Sequence, residues 1–256
     1  MQYSQNYVAF IDILGFSNYV SNEENAEKTQ DLFAFVEKFR HLYNTSPQLR
    51  TKVSFFSDSI VITSDEIESI ILAIHLAESY LKKNLGLLFR GGICYGKYYH
   101  KNDITFGPAV ISAYRLEQKA IYSRIIIDTA ISDQIDLKLY TFRDMDGYIC
   151  CNPYCTILND ALDGLDDVVN SGEDVTQAIL SFFTKSKIEL LNQIQKYKGT
   201  TVVDKYLWRV RPYNYTCSLV GSLSHGEVIF PNYTITNAFK EKLSACKITE
   251  EDINSL

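Results

Sequence analysis

Three side chains carry most of the chemistry this sequence can offer: Asp12, Asp58 and Arg115. Asp12 follows the apolar, β-prone run at residues 7–11, and Gly15 then leads into Phe16-Ser17 as a tight turn opening a helix. A strand, an acid at its tip, a glycine turn and a helix start describe a place to hold a metal-bound phosphate. Backbone N–H groups there face the anion and the carboxylate takes the cation. Asp58 lies in FFSDS, at the tip of an expected hairpin. Two carboxylates within a few Å repel unless a cation lies between them, so convergence of Asp12 and Asp58 predicts a divalent site. A pair of such ions can clamp the attacking and leaving oxygens of a phosphoryl transfer. Arg115, in FGPAVISAYRLEQKA, projects from a helix whose apolar residues pin it to the core. A guanidinium so placed can neutralise charge building on a phosphate. Plainer readings stand beside these: Asp12 as a helix cap, Asp58 as an ordinary turn residue, Arg115 as an exposed helix arginine.

The elements that must position these residues follow from periodicity. Residues 23–44 carry Leu32, Val36, Phe39 and Tyr43 at helical spacing, with Pro47 as the stop. Residues 52–56 and 60–63 form two short strands joined at Ser57-Asp58-Ser59. Ile67, Ile70, Ile71, Ile74 and Leu81 mark a second helix. Residues 87–99 return as a strand in which Gly91-Gly92 and Gly96 suggest a bend or a close backbone approach. A helix over 108–120 starts with proline in its first turn, and 124–128 is a strand. Residues 137–142 and 148–151 form a hairpin around Asp146-Gly147. Helices stacked on one face of such a sheet imply an α+β, ferredoxin-like sandwich. The Asp-, Gly- and Asn-rich stretch 159–174 reads as a boundary or mobile loop. Beyond it lie helices at 175–197 and 205–215 (the latter interrupted by Pro212), a hairpin near 221–230 and a helix at 236–245. The division is residues 1–156 as a catalytic domain and 157–256 as a mostly helical extension.

Composition narrows the function classes. At 256 residues the chain can bury a full core, and 46% hydrophobic with 22% charged residues is ordinary for a globular protein. A net charge of −6 argues against non-specific nucleic-acid or acidic-membrane binding. The start, MQYSQNY, does not read as a signal peptide, no apolar run is long enough to span a bilayer, and the six cysteines read as reduced thiols, so the expectation is cytoplasmic. Cys150, Cys151 and Cys155 cluster without a zinc-spaced partner set, and the four histidines are scattered. Asp144-Met145-Asp146-Gly147 is a turn rather than an EF-hand loop, since Phe142 and Pro153 stand where that loop needs its first and last ligands.

Taken together, AFIDILGFS, FFSDS, RGGICYG, FGPAVISAYRLEQKA and RIIID, in that order over residues 6–151, resemble the class III nucleotidyl cyclase domain. The resemblance implies Asp12 and Asp58 as ligands of two divalent ions, Mn²⁺ or Mg²⁺, with the Ile13 carbonyl assisting. It implies the backbone of Gly15, Phe16 and Ser17 as the triphosphate cradle and Arg115 as the transition-state arginine. It also implies a head-to-tail homodimer with shared active sites, Arg115 acting on substrate held by the other subunit's aspartates. The chain departs from the purine members of that family. Ile111 stands where they place a ribose-orienting asparagine, Ser54 where they place a base-reading lysine or glutamate, and Ile104 (or Asp103, with a one-residue slip) at the second base reader. The late phosphate-binding lysine has no match, Arg143 being the substitute considered.

Metal aspartates and the arginine kept, with the purine readers gone, is similar to the bacterial pyrimidine cyclases of Pycsar antiphage defence. KYLWRVRPYNY, residues 205–215, is similar to their tail. That resemblance implies a pyrimidine nucleoside triphosphate as substrate, a 3′,5′-cyclic monophosphate second messenger and a separate cyclic-nucleotide-binding effector. The Ser54 hydroxyl can donate or accept and so suits uracil and cytosine, and Phe56 fills space a purine would take; UTP is favoured over CTP. The rival readings are a purine cyclase with an unusual base pocket and an inactive nucleotide sensor, the latter favoured by Ile111.

Overall fold

Alternating burial along the first strand sets the architecture. In the computed structural model, which describes residues 2–46, 48–101, 104–132, 135, 139–155, 175–222 and 236–256, β1 spans Ser4–Leu14. Its odd residues Ala9, Ile11 and Ile13 are buried in the main core with Ile60, Ile62, Ile70, Ile74 and Phe89. Each large aliphatic buried this way contributes about 1.5–3 kcal/mol. The even residues Val8, Phe10 and Asp12 face the other side, because successive side chains on a strand point to opposite faces.

After β1 come α1 (Phe16–Ser21), a 3₁₀ turn (Glu23–Asn25), α2 (Ala26–Thr45), β2 (Lys52–Phe56), β3 (Ser59–Ser64), α3 (Ile67–Leu85) and β4 (Leu88–Lys101). Strands β2, β3, β1 and β4 lie side by side in that order, each antiparallel to its neighbour. With α2 and α3 crossing between strands, this is a βαββαβ arrangement of ferredoxin-like type. Helix α2 ends at Thr45; Pro47, expected to stop it, lies outside the described residues. On the outer edge of β2, Asn44 accepts from Val53 N–H at 2.9 Å and donates to the Val53 carbonyl at 2.8 Å, so the open edge of the sheet is partly closed by a side chain.

The sheet then extends through β5 (Ile104–Phe106), α4 (Pro108–Lys119), β6 (Ile125–Ile127), α5 (Thr129–Ser132), β7 (Thr141–Arg143) and β8 (Ile149–Cys151). β6 runs parallel to β4 after the α4 crossover, and β8 and β7 follow antiparallel beyond it. The short β5 hangs antiparallel on the end of β4 and was not anticipated. β7 is also shorter than the expected 137–142, whose residues 137 and 138 lie outside the described set.

The sandwich with helices on one face needs correcting. α2 and α3 pack against the odd residues of β1, whereas α4 lies across the even face. The glycines of β4 are the reason. A Cβ on Gly92 would overlap Leu116 Cβ and stand 2.5 Å from the Ala113 carbonyl oxygen, and one on Gly96 would touch Ala109 at 3.4 Å. Of a bend or a close backbone approach, the glycines serve the close approach: β4 runs unbroken, with α4 resting directly on its backbone.

Two compact units divide the chain, Met1–Cys151 and Asn152–Leu256. The second holds α6 (Val175–Lys196), α7 (Val203–Ser222), α8 (Asn237–Ala245) and α9 (Glu250–Asn254). In it the Tyr213 hydroxyl reaches the Phe183 carbonyl at 2.9 Å and the Cys246 carbonyl at 3.0 Å, tying α6, α7 and the end of α8 together. Asn214 clamps both backbone groups of Ile248 at 2.8 and 2.9 Å. Trp208 and Arg209 are buried, so they form a packed helix face and not a basic surface patch. α7 continues through Pro212 instead of stopping there. The expected boundary at 159–174 and most of the hairpin at 221–230 lie outside the described residues; Gly221 and Ser222 are the last residues of α7. No helix among the described residues is long and apolar enough to cross a membrane.

Candidate active site

Asp12 lies two residues inside the C-terminal end of β1, in register with Ser59 of β3 on one side and Arg90 of β4 on the other. One residue on, Ile13 N–H donates to the Asp58 carbonyl at 2.8 Å, which fastens the β2–β3 turn to β1 beside Asp12. The two acids, forty-six positions apart in the chain, thus belong to adjoining backbone segments. Asp12 does not cap the following helix: the N-cap is Gly15, held in the left-handed region at φ 82°, which a side chain rarely adopts. Asp58 is half-buried, and its neighbour Ser57 takes φ 55°, the positive-φ non-glycine among the described residues. Gly15 and Ser17 are exposed at the start of the six-residue α1, with Phe16 half-buried between them, and the Ile13 side chain is buried.

Cross-strand register groups the face further. Phe56, Ser59, Asp12 and Arg90 form one row, and Ser54, Val61, Phe10 and Gly92 the next. Arg90 Nε–H donates to Asp12 Oδ2 at 3.1 Å. Glu117 Oε1, from α4, lies closer to the same nitrogen at 2.6 Å. It sits off the N–H direction, buried and with no hydrogen bond of its own. The Glu117 side chain is 1% exposed, against 19% for Asp12 and 31% for Arg90. Burial pushes the Glu117 carboxyl above its usual range; the Arg90 charge opposes that shift and the Asp12 charge adds to it.

Arg115 is exposed and points elsewhere. The face of α4 that packs on the sheet carries Ala109, Ala113, Leu116 and Glu117. At about 100° per residue, Arg115 stands about 160° round the helix from Glu117, away from Asp12 of its own chain. Ile111, 53% exposed, and Tyr114, 46% exposed, accompany it, with the Tyr114 ring edge-on to Phe10 at 5.3 Å. Within one chain the fold brings Asp12 and the Asp58 turn together and leaves Arg115 outside.

Ser54 Oγ lies 3.0 Å from Thr105 Oγ1 on β5, and Thr105 Oγ1 lies 2.7 Å from His100 Nδ1 on β4. Side chains from three strands, Ser54 of β2, Thr105 of β5 and His100 of β4, are thus linked in one hydrogen-bonded row. Ile104 is 62% exposed and takes no part, and Asp103 lies outside the described residues. Phe56, in the row of Asp12, is 82% exposed. The sequence reading missed Thr105, His100, Arg90 and Glu117. Only Glu117 left a signal, as a charge falling on the inward face of an amphipathic helix.

Among the described residues no three His, Cys, Asp or Glu side chains gather as a metal site. The donors at hand are two carboxylates and a backbone carbonyl, hard oxygens of the kind Mg²⁺ and Mn²⁺ take. Asp12 is already matched to a cation, the Arg90 guanidinium, so the position is electrostatically fit for one. Asp144 and Asp146 are accounted for separately, each 2.6 Å from Arg124. Arg143 is exposed and donates to the Gly147 carbonyl at 2.9 Å within its own turn.

No family model matches the chain, and no curated protein matches it. Solved structures do. An adenylate/guanylate cyclase/hydrolase from Silicibacter pomeroyi is similar at 17% identity and TM-score 0.40, over 59% of this chain and 95% of that one. The monomeric guanylyl cyclase domain of the RhoGC fusion protein from Blastocladiella emersonii is similar at 15% identity and TM-score 0.44, over 58% and 95%. A class III adenylyl cyclase-like ATP-binding protein from Pseudomonas aeruginosa gives 16% identity and TM-score 0.38, over 54% of this chain and 36% of that one.

Proposed function

We propose that the chain is a nucleotidyl cyclase of the class III type that converts a pyrimidine nucleoside triphosphate, UTP before CTP, to the 3′,5′-cyclic monophosphate and pyrophosphate. The observation that carries this reading is the fastening of the Asp58 turn to β1 beside Asp12. Two divalent ions, Mn²⁺ or Mg²⁺, held by Asp12, Asp58 and the Ile13 carbonyl, would supply acidification of the ribose 3′-hydroxyl and charge to match the triphosphate. The backbone of Gly15, Phe16 and Ser17 lies at the end of the same strand and suits the phosphate oxygens. Arg115 of a second copy, in a head-to-tail homodimer, stabilises the charge on the α-phosphate, which accounts for its turning away from Asp12 in its own chain. Exposed Ile111, Tyr114 and Phe56 supply apolar surface for that pairing. Ser54, backed by Thr105 and His100, reads the base through hydrogen bonds, and Phe56 limits its size. The cyclic product then serves as a second messenger for a separate effector in antiphage defence, as the sequence resemblance implies.

The test is incubation with each of the four nucleoside triphosphates and Mn²⁺, followed by chromatography. Cyclic UMP as the main product is expected; no cyclic product from any triphosphate overturns the reading. Asp12→Asn and Arg115→Ala, each inactive alone, should on mixing regain about a quarter of full activity, since about half the dimers become mixed and each has one intact site. A mixture that stays dead refutes the shared site. Ile111 favours one alternative, a sensor that binds nucleotide without turnover, and measurable triphosphate binding with no product would select it.

A further inference from the structure

The position of Arg90 between two carboxylates of unequal burial has a consequence for how a cation reaches Asp12. The Nε–H is directed at Asp12, 3.1 Å away, while the nearer Glu117 Oε1, 2.6 Å from the same nitrogen, has no hydrogen bond. One N–H cannot serve both; Glu117 Oε2 accepts from Gln118 Nε2 at 2.5 Å, but Oε1, on a side chain 1% exposed, is left without a donor. Asp12 is the partner with an alternative, because its side chain is 19% exposed against 1% for Glu117.

We propose that Arg90 is an internal counter-ion that a divalent cation must displace from Asp12, and that Glu117 is the carboxylate that receives it. In the metal-free chain the guanidinium neutralises Asp12 and keeps it from repelling the neighbouring Asp58 turn. When a cation takes the Asp12 carboxylate, a slight rotation of Arg90 completes the hydrogen bond to Glu117 that is now misdirected. Arg90 is thus a positioning residue that sets cation affinity by competition. The inference rests on the metal-binding half of the proposed function and on none of its nucleotide chemistry.

The opposite signs of two substitutions test it, with Mn²⁺ alone as the probe and free Mn²⁺ read by its paramagnetic resonance signal. Glu117→Gln removes the receiving charge and leaves Arg90 on Asp12, so Mn²⁺ should bind about three- to tenfold more weakly than to the unaltered chain. Removing both charges of that pair with Arg90→Gln and Glu117→Gln takes away the guanidinium that competes for Asp12, so Mn²⁺ should bind about three- to tenfold more tightly. A purely structural Arg90 would loosen the site in both variants. Equal or weaker binding by the double variant overturns the proposal, as does failure of both the unaltered chain and the double variant to take up Mn²⁺. Should the double variant not fold, the Arg90 Nε–H resonance of the unaltered protein decides: it shifts as Mg²⁺ is added, or its constancy refutes the exchange. Neither reading needs turnover, so a chain that binds Mn²⁺ in this pattern but cyclises nothing would defeat the cyclase reading alone.

Discussion

Acid should loosen the first unit through one residue, His75. It lies in α3 at 2% exposure, with both ring nitrogens buried and without hydrogen-bond partners. Its surroundings include Glu78 one turn on and the Tyr140 ring at 6.2 Å. Burial lowers its pKa from 6.5 to about 4, with the Glu78 charge opposing that shift. The folded chain therefore keeps His75 neutral where the unfolded chain protonates it. Between pH 6.5 and about 4 the unfolded state binds more protons, so stability falls as pH falls through that window and levels off below it. The full loss is about 3 kcal/mol, and about 2 kcal/mol is reached by pH 5. The sole tryptophan, Trp208, belongs to the second unit, so its fluorescence would report the wrong part of the chain. Amide-exchange protection of α3 is the right measure. Between pH 7 and pH 5, after correction for intrinsic exchange, it should fall about 20-fold more in the unaltered chain than in His75→Leu. His75→Leu should also be no less stable at pH 7, because it removes two unsatisfied buried atoms. Equal losses of protection in the two proteins would refute the assignment.

Two further substitutions probe what holds the site. Gly92→Ala should lift α4 off β4, cost about 1–3 kcal/mol or more in a thermal melt and abolish the proposed cyclase activity, whereas Gly96→Ala, whose new methyl meets only Ala109 at 3.4 Å, should change stability little. Equal melting of the two variants would rule out the close helix approach. Arg124→Met takes the guanidinium from buried Asp144, 2% exposed at its side chain, and should cost about 3–5 kcal/mol by chemical denaturation; adding Asp144→Asn should recover part of it. A cost below about 1 kcal/mol would mean the pair carries no such weight.

Much of this fold was legible before any coordinates. The spacing of Ile67, Ile70, Ile71 and Ile74 defines α3, and the two β-prone runs around Ser57-Asp58 define the hairpin, because in each the local propensity and the burial pattern agree. Pro108 at the head of α4 and the apolar residues behind it set that helix almost to the residue. Where local rules misled, a distant contact had overridden them. α7 passes through Pro212 because its flanks are buried against α6 and α8, so packing outweighs the one lost hydrogen bond. β5 is three residues long, too short for any period to show.

The sequence by itself determined which residues could do chemistry: two acids beside β-prone runs, a glycine turn, an arginine on an amphipathic helix. Only the tertiary structure decided which of them meet. Asp12 adjoins the Asp58 turn because the buried odd residues of β1 lock its register against β3, and a slip of one residue would turn Asp12 into the core. Arg115 turns away because Ala113, Leu116 and Glu117 claim the inward side of α4, over a glycine that lets the helix lie on the strand. Arg90, Thr105 and His100 take their contacts from neighbours on other strands and helices, and no property of their own stretches of chain points to them; Glu117 alone is marked in the sequence, as a charge on the inward face of α4.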